Sequence, residues 1–166
     1  MPRSARRAAA TAEPATATAT VWAVPGDFVH QLRVRYGECD PQGIVFNANY
    51  LLYFDVAFTE MWREAVGPWQ ELVDLGVDAV VAETNIKFHA PARFDDELQL
   101  IVRVARLGRT ALTTDIDVTR DGEHLVAGWL RHVCVSTDTW RKTEIPPLVR
   151  SGLELFAAAE PDAERP

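Results

Sequence analysis

Apolar and polar residues alternate from position 28 to 36: Phe28, His30, Leu32, Val34 and Tyr36 fall on one side, and Val29, Gln31, Arg33 and Arg35 on the other. A period of two predicts a strand with one face turned inward. Gly37, Asp40, Pro41 and Gly43 then break the pattern. From residue 47 to about residue 66 there is no Gly or Pro, and Asn47 or Asn49 offers an N-cap before an apolar run that Gly67-Pro68 ends. In this predicted helix Tyr50, Leu51, Leu52, Tyr53, Phe54, Val56, Ala57, Phe58, Met61 and Trp62 cover most of the circumference. A helix apolar on several sides is expected to be enclosed by the rest of the protein. Asp55, Glu60, Arg63 and Glu64 form only a narrow polar stripe toward its C-terminal half, so its first turns are expected to be the most deeply enclosed.

A shorter helical pattern over residues 69–75 stops at Gly76. Alternation then returns over residues 79–89, 97–107, 110–119 and 124–137, with turn signals at Pro91, Gly108 and Asp121-Gly122. One strand, one long helix and four strands joined by short turns describe an α+β domain with an antiparallel sheet curled around a helix. Residues 151–159 offer a further short helix.

At 166 residues and 48% hydrophobic content the chain has the size and composition of one domain with a sizeable core. Residues 1–26, rich in Ala, Thr and Arg, read as a disordered tail, the domain as residues 27–147, and residues 148–166 as a C-terminal extension. No apolar run reaches the length of a membrane helix. With Cys39 and Cys134 the only cysteines, and no secretory signal legible, a cytoplasmic location is expected. The formal charge is −7, and setting aside the three arginines and one glutamate of residues 1–20 leaves −9 on the remainder, which argues against a general nucleic-acid surface.

Candidate chemistry gathers in the break between the first strand and the helix. A carboxylate there lies near free backbone N–H groups and the positive end of the helix dipole. A carbonyl oxygen held by N–H groups near Phe46 and Asn47 would expose its carbon to Asp40, directly or through water, which is acyl-transfer chemistry. Gly43 allows a sharp turn or close ligand approach, and Pro41 stiffens the loop. The same residues also read as a plain β-turn in which Asp40 accepts backbone hydrogen bonds.

The string Tyr36-x-Glu38-x-Asp40-x-x-Gly43-Ile44-Val45-Phe46-x-Ala48-Asn49-Tyr50-Leu51, followed by Phe54, Asp55 and Ala57, resembles the signature of the 4-hydroxybenzoyl-CoA thioesterase family within the hotdog superfamily. The resemblance in element order covers about residues 27–147. It implies a hotdog fold and an acyl-CoA thioester hydrolase; no cofactor and no metal are expected. The residue matching Asp40 would be nucleophile or general base, and the backbone N–H of Asn47 would polarise the thioester carbonyl. Gly43, Phe46 and Tyr50 are expected to meet the substrate. Homodimers or homotetramers with active sites at the subunit interface are implied as well. One departure matters: family members commonly carry Tyr or His at the position of Asn47. Asn cannot act as acid or base near neutral pH, so a mechanism using only the backbone amide survives there.

Asp55 and Glu60, on the helix, are rival carboxylates, since some hotdog thioesterases draw their acid from that helix. Cys39 is expected to be an inert thiol. His30, His89, His124 and His132 share no metal-ligand spacing, and the loop and helix from residue 40 to 66 contain no His, which disfavours the hydratases of the superfamily. For the CoA phosphates, strand periodicity puts Arg103 on the face opposite Arg106, leaving Arg106, Arg109 and Thr110 as candidates beside the Gly108 turn, with Arg141-Lys142 beyond the last strand. Two other readings stay open: hydrolysis of an acyl carrier protein thioester, which the negative domain disfavours, and a non-catalytic acyl-CoA sensor.

Overall fold

The computed structural model describes residues 26–157. The elements are β1 (Phe28–Arg33), α1 (Asn49–Ala65), α2 (Trp69–Asp74), β2 (Val77–Phe88), β3 (Glu97–Leu107), β4 (Ala111–Arg120), β5 (Glu123–Ser136) and α3 (Pro147–Leu153). The tail expected at residues 1–26 lies outside the described residues but for Gly26, and so does the end of the short helix expected at 151–159. In place of that helix, α3 starts four residues earlier, at Pro147, whose fixed φ suits a first helical position.

The five strands form one antiparallel sheet in the order β1-β3-β4-β5-β2. Asp121 and Gly122 both adopt positive φ (49° and 82°), the geometry of a two-residue hairpin turn whose twist matches the flanking strands. Along β4, Leu112, Thr114, Ile116 and Val118 are buried on the face toward α1. The sheet wraps that helix as the hotdog arrangement requires.

The helix is enclosed differently from the sequence expectation. Its buried residues are Tyr50, Tyr53, Phe54, Ala57, Phe58, Met61 and Trp62, a single stripe at spacings of three and one running its whole length. Leu51 and Leu52 stay exposed. Neither Asn47 nor Asn49 caps it: the N-cap is Ala48 without a side-chain hydrogen bond, and the Asn49 side chain instead donates to the Glu38 carbonyl at 2.7 Å.

A bulge between Val104 and Arg106 corrects the expected arginine geometry. Arg103 faces Asp115 and Arg106 faces Thr113, two positions on one side of β4, so both arginines share the outer face of the sheet. There Arg103 is buried between Asp27 and Asp117, at 2.8 and 2.7 Å, while Arg106 is exposed.

His132 on β5 is buried and stacks on Phe58 of α1, ring centroids 3.9 Å apart, with no hydrogen-bond partner for Nδ1 among the described residues. Burial pulls its pKa down from 6.5 to about 4. The unfolded chain therefore takes up this proton first as pH falls. Stability is fully present above about pH 6.5 and declines between there and about pH 4, by up to about 3 kcal/mol. Urea unfolding at a series of pH values checks this: His132→Phe is expected to remove that part of the slope, and an unchanged slope would exclude His132 as its source.

Candidate active site

The loop between β1 and α1 is built from few residues tied several times over. The Gly43 N–H donates to the Asp40 carbonyl at 2.9 Å, the Asp40 N–H to the Ile44 carbonyl at 2.9 Å, and the Gln42 N–H to Asp40 Oδ1 at 2.8 Å. These are the bonds of a tight turn with an Asx-type side-chain bond, so the plain-turn reading describes the local geometry. Gly43 closes it at φ 75°, where a side chain would be strained. Only Oδ1 is engaged: Asp40 Oδ2 has no hydrogen-bond partner among the described residues.

Glu38 secures the other side of the loop. Its carboxylate accepts from the Tyr53 hydroxyl at 2.7 Å and from the Arg35 N–H at 2.8 Å, and its carbonyl accepts from the Phe46 N–H at 2.9 Å. Burial, followed by the bond to Glu38, holds the Tyr53 phenol well above its ordinary pKa, so it remains a donor. The Phe46 amide is thus spent within the protein and is not available to a ligand, contrary to the expectation of a shared site with Asn47. The first helical amides are spent as well, from Asn49 to Phe46, Tyr50 to Asn47 and Leu51 to Ala48. The N–H groups of Asn47 and Ala48 have no acceptor among the described residues.

A cavity of about 430 Å³ opens at this point. The loop contributes Asp40, Ile44, Phe46 and Asn47 to its wall, α1 contributes Tyr50, and the end of β2 and the segment after it contribute Phe88, His89 and Pro91. Tyr50 is buried, its hydroxyl accepts from the Ala92 N–H at 3.3 Å, and burial raises its pKa, so it lines the wall as a neutral group. The structure therefore brings Asp40, Phe46, Asn47 and Tyr50 together around one space, with Gly43 in the supporting turn.

Arg106, Arg109 and Thr110 do not line this cavity. Arg109 borders a separate groove with Arg150 and Glu144, and is itself paired to Glu144 at 2.6 Å. Asp55 lies on a third, smaller recess of about 240 Å³ beside Thr59 and His132. Cys39 is half-buried in the bridge to Val45. Among the described residues no group of three or more His, Cys, Asp and Glu is placed to hold a metal ion, and no helix is long and apolar enough to cross a membrane.

Two contributors have roles that the sequence alone does not assign. Glu38 stands in the motif, but its partner Tyr53 lies fifteen residues further on, inside the helix. His89 precedes Ala90-Pro91 at the end of an alternating segment, and nothing local signals that it borders the same cavity as Asp40.

A five-stranded antiparallel sheet laid along one long helix, with a carboxylate loop at the helix N-terminus, defines the hotdog class. Within that class the chain belongs to the Thioesterase superfamily, whose family model matches residues 42–127. It is 33% identical over 81 residues to the acyl-CoA thioester hydrolase YbgC of Escherichia coli, a match spanning 49% of this chain and 60% of that one. It is 30% identical over 93 residues to a 4-hydroxybenzoyl-CoA thioesterase of a Pseudomonas species, spanning 54% of this chain and 66% of that one. A hypothetical protein of Thermus thermophilus with a solved structure superposes at a TM-score of 0.72 with 31% identity, covering 77% of this chain and 98% of the other.

Proposed function

We propose that this protein hydrolyses an acyl-CoA thioester to the free acid and CoA, with Asp40 as the catalytic carboxylate. The observation that carries the reading is the meeting of Asp40, with one carboxylate oxygen unengaged, and the unspent N–H of Asn47 on a single, largely apolar cavity. The thioester carbonyl oxygen accepts from that N–H, and the developing negative charge is held by it and by the N-terminal end of α1. Asp40 then attacks the carbonyl carbon or deprotonates a water that does. Ile44, Phe46, Tyr50 and Phe88 receive the acyl group; the CoA phosphates are assigned to Arg106, Arg109 and Thr110 at the turn after β3, outside this cavity, where Arg109 must exchange its Glu144 partner for a phosphate. The names of the relatives support the same substrate class.

A screen of free-thiol release across short, long, branched and aromatic acyl-CoAs tests this. Release from at least one of them, abolished in Asp40→Asn, is expected. No release from any of them would sink the proposal.

The active unit is proposed to be a homodimer or a dimer of dimers. Among the described residues β2 ends the sheet with one edge unpaired, Val81 and Phe88 on it are exposed, and so are Leu51 and Leu52 on the uncovered side of α1. An open edge beside apolar side chains is the arrangement a second copy covers. Light scattering at micromolar concentration is expected to return at least twice the mass of one chain; a monomer that hydrolyses acyl-CoA at full rate would count against interfacial sites.

A further inference from the structure

We propose that each active site is built from two copies of the chain. Asp40 and Asn47 come from one copy, and the groups that hold the nucleotide end of CoA come from the turn after β5 of the other, with Trp140 stacking on the adenine and Arg141 and Lys142 meeting the phosphates. The inference rests on the acyl-CoA hydrolase and paired-edge readings above and assigns residues to them.

The sheet sets the distances. Val80, Val133 and Ala111 form one row across β2, β5 and β4, and Phe88, Val126 and Val118 form another. The Gly108 turn lies beyond the first row, and the Asp40 cavity lies beyond the second, where Phe88, His89 and Pro91 line it. From Val80 to Phe88 the rows are about 26 Å apart, at roughly 3.3 Å per residue. The arm between the sulfur of CoA and its first phosphate has about thirteen bonds and extends to about 15 Å at ordinary covalent dimensions. A thioester seated against Asp40 therefore leaves its phosphates short of Arg106 and Arg109 of the same chain, even with those arginines fully extended.

A second copy closes the gap. Among the described residues β2 has an unpaired edge. Antiparallel pairing of that edge with its own copy over the whole strand sets Val77 of one copy opposite Phe88 of the other. Each Asp40 cavity then lies beside the end of the second copy that carries the Gly108 turn. The turn after β5 stands closest there, because the Thr137 N–H donates to the Gly76 carbonyl at 3.0 Å, just before β2 begins. Neighbouring strands are about 4.8 Å apart, so a residue carried at the end of β5 is roughly 10 Å from β2 of the first copy, within reach of the arm.

That turn is held so that its side chains stand out. The Ser136 carbonyl accepts from the Trp140 N–H at 2.9 Å, the Ser136 hydroxyl accepts from the N–H groups of Asp138 and Thr139 at 3.3 and 3.4 Å, and the Ser136 N–H donates to the Arg141 carbonyl at 2.9 Å. Trp140 has φ 54°, a left-handed conformation that strains a bulky residue, and its side chain is not repaid by packing, since it is 67% exposed. An exposed indole face is the kind of platform on which a base stacks. Arg141 and Lys142 beside it are exposed and have no carboxylate partner among the described residues. On a chain of net charge −7 an anionic ligand needs such a local group of cations.

The test uses the full-length chain and the acyl-CoA found by the thiol-release screen. A turn variant carrying Trp140→Gly, Arg141→Ala and Lys142→Ala is expected to raise KM about 30-fold with kcat within about threefold, the pattern of lost ground-state binding. On the S-acyl pantetheine of the same acid, which lacks the nucleotide, parent and variant are expected to agree within about threefold. Glycine suits φ 54°, so Trp140→Gly alone is expected to melt no lower than the parent while raising KM for the acyl-CoA. Assignment to a second copy is read from mixed dimers of the turn variant with Asp40→Asn, coexpressed under two tags and purified through both. One site of such a dimer unites Asp40 of the turn variant with the intact turn of the other chain, so kcat/KM is expected at about half that of the parent dimer; sites built within one chain would give about one-sixtieth. The lower value, an unchanged KM in the turn variant, an equal loss on the acyl pantetheine, or a Trp140→Gly protein that melts well below the parent overturns the assignment. If the parent releases no thiol, the hydrolase reading itself fails, and if it works at full rate as a monomer, the paired-edge reading fails. If Asp40→Asn is inactive, dimers form and the mixed dimer gives the lower value, only the assignment to a second copy fails.

Discussion

Asp40→Asn is expected to lower kcat on the preferred acyl-CoA by roughly a thousandfold while leaving the fold as it is. Asparagine keeps the side-chain oxygen that accepts from the Gln42 N–H at 2.8 Å, so the turn closed by Gly43 loses none of its bonds. What changes is the second oxygen, the one with no partner among the described residues. Replaced by an amide nitrogen, it can neither attack a carbonyl carbon nor accept a proton near neutral pH. The Asn47 N–H is untouched, so under the proposed mechanism the thioester carbonyl is still bound and KM is expected to move by no more than about threefold, the signature of an interaction made in the transition state. Thermal unfolding should agree with the parent to within about 0.5 kcal/mol, as for other substitutions that break no buried contact. Steady-state kinetics and a melting curve on the same preparation decide the matter: equal kcat in the two proteins removes Asp40 from the chemistry, and a large loss of stability would show that the turn itself depends on the Asp40 charge.

Why Asp40 is legible in the amino-acid sequence, and His89 is not, follows from how far each depends on its neighbours in the chain. Asp40, Pro41 and Gly43 carry turn chemistry within four residues, and the helix that follows begins within ten. Local period and local turn residues suffice there, as they do for β3, whose observed span of Glu97–Leu107 matches the alternating segment, and for the Asp121-Gly122 hairpin. His89 and His124 are 35 positions apart and meet only because β2 pairs with β5 in a register that sets Phe88 opposite Val126. Register is a property of two strands, and no window along one of them contains it. The bulge at Val104 and Arg106 makes the same kind of difference: one extra residue turns Arg106 to the face of Arg103, against a strict period of two. The Phe46 amide, expected beside that of Asn47 in the site, is spent on the Glu38 carbonyl because the loop folds back over eight residues, which composition does not encode.

Gly128→Ala is expected to destabilise the protein by about 3 kcal/mol, at the upper end of what overpacking a core ordinarily costs, and to lower the melting temperature by roughly 10 °C for a domain of this size. Gly128 lies in β5 opposite Ile116 of β4 and Ile86 of β2, where the sheet presses on α1. A Cβ there would stand 2.5 Å from the Asn85 carbonyl oxygen and 2.5 Å from Cε2 of Phe54, closer than such atoms approach. Neither neighbour yields easily. The carbonyl belongs to the backbone of the paired strand, and Phe54 is fully buried in the middle of the helix stripe. Relief of the Phe54 contact must come from moving α1 away from the sheet, while the Asn85 contact is relieved only by shifting β2; the N-terminus of α1 follows directly on Asn47 at the cavity. Loss of stability and loss of activity are therefore expected together, with kcat falling even at temperatures where the variant is folded. Phe54→Leu tests the cause. Alone it leaves a cavity and costs about 1 to 2 kcal/mol. Combined with Gly128→Ala it removes one of the two close contacts, so the double variant is expected to be more stable than the sum of the single losses by about 1 kcal/mol. Strict additivity would mean that the clash with the Asn85 backbone alone sets the cost, and that α1 keeps its place over the sheet.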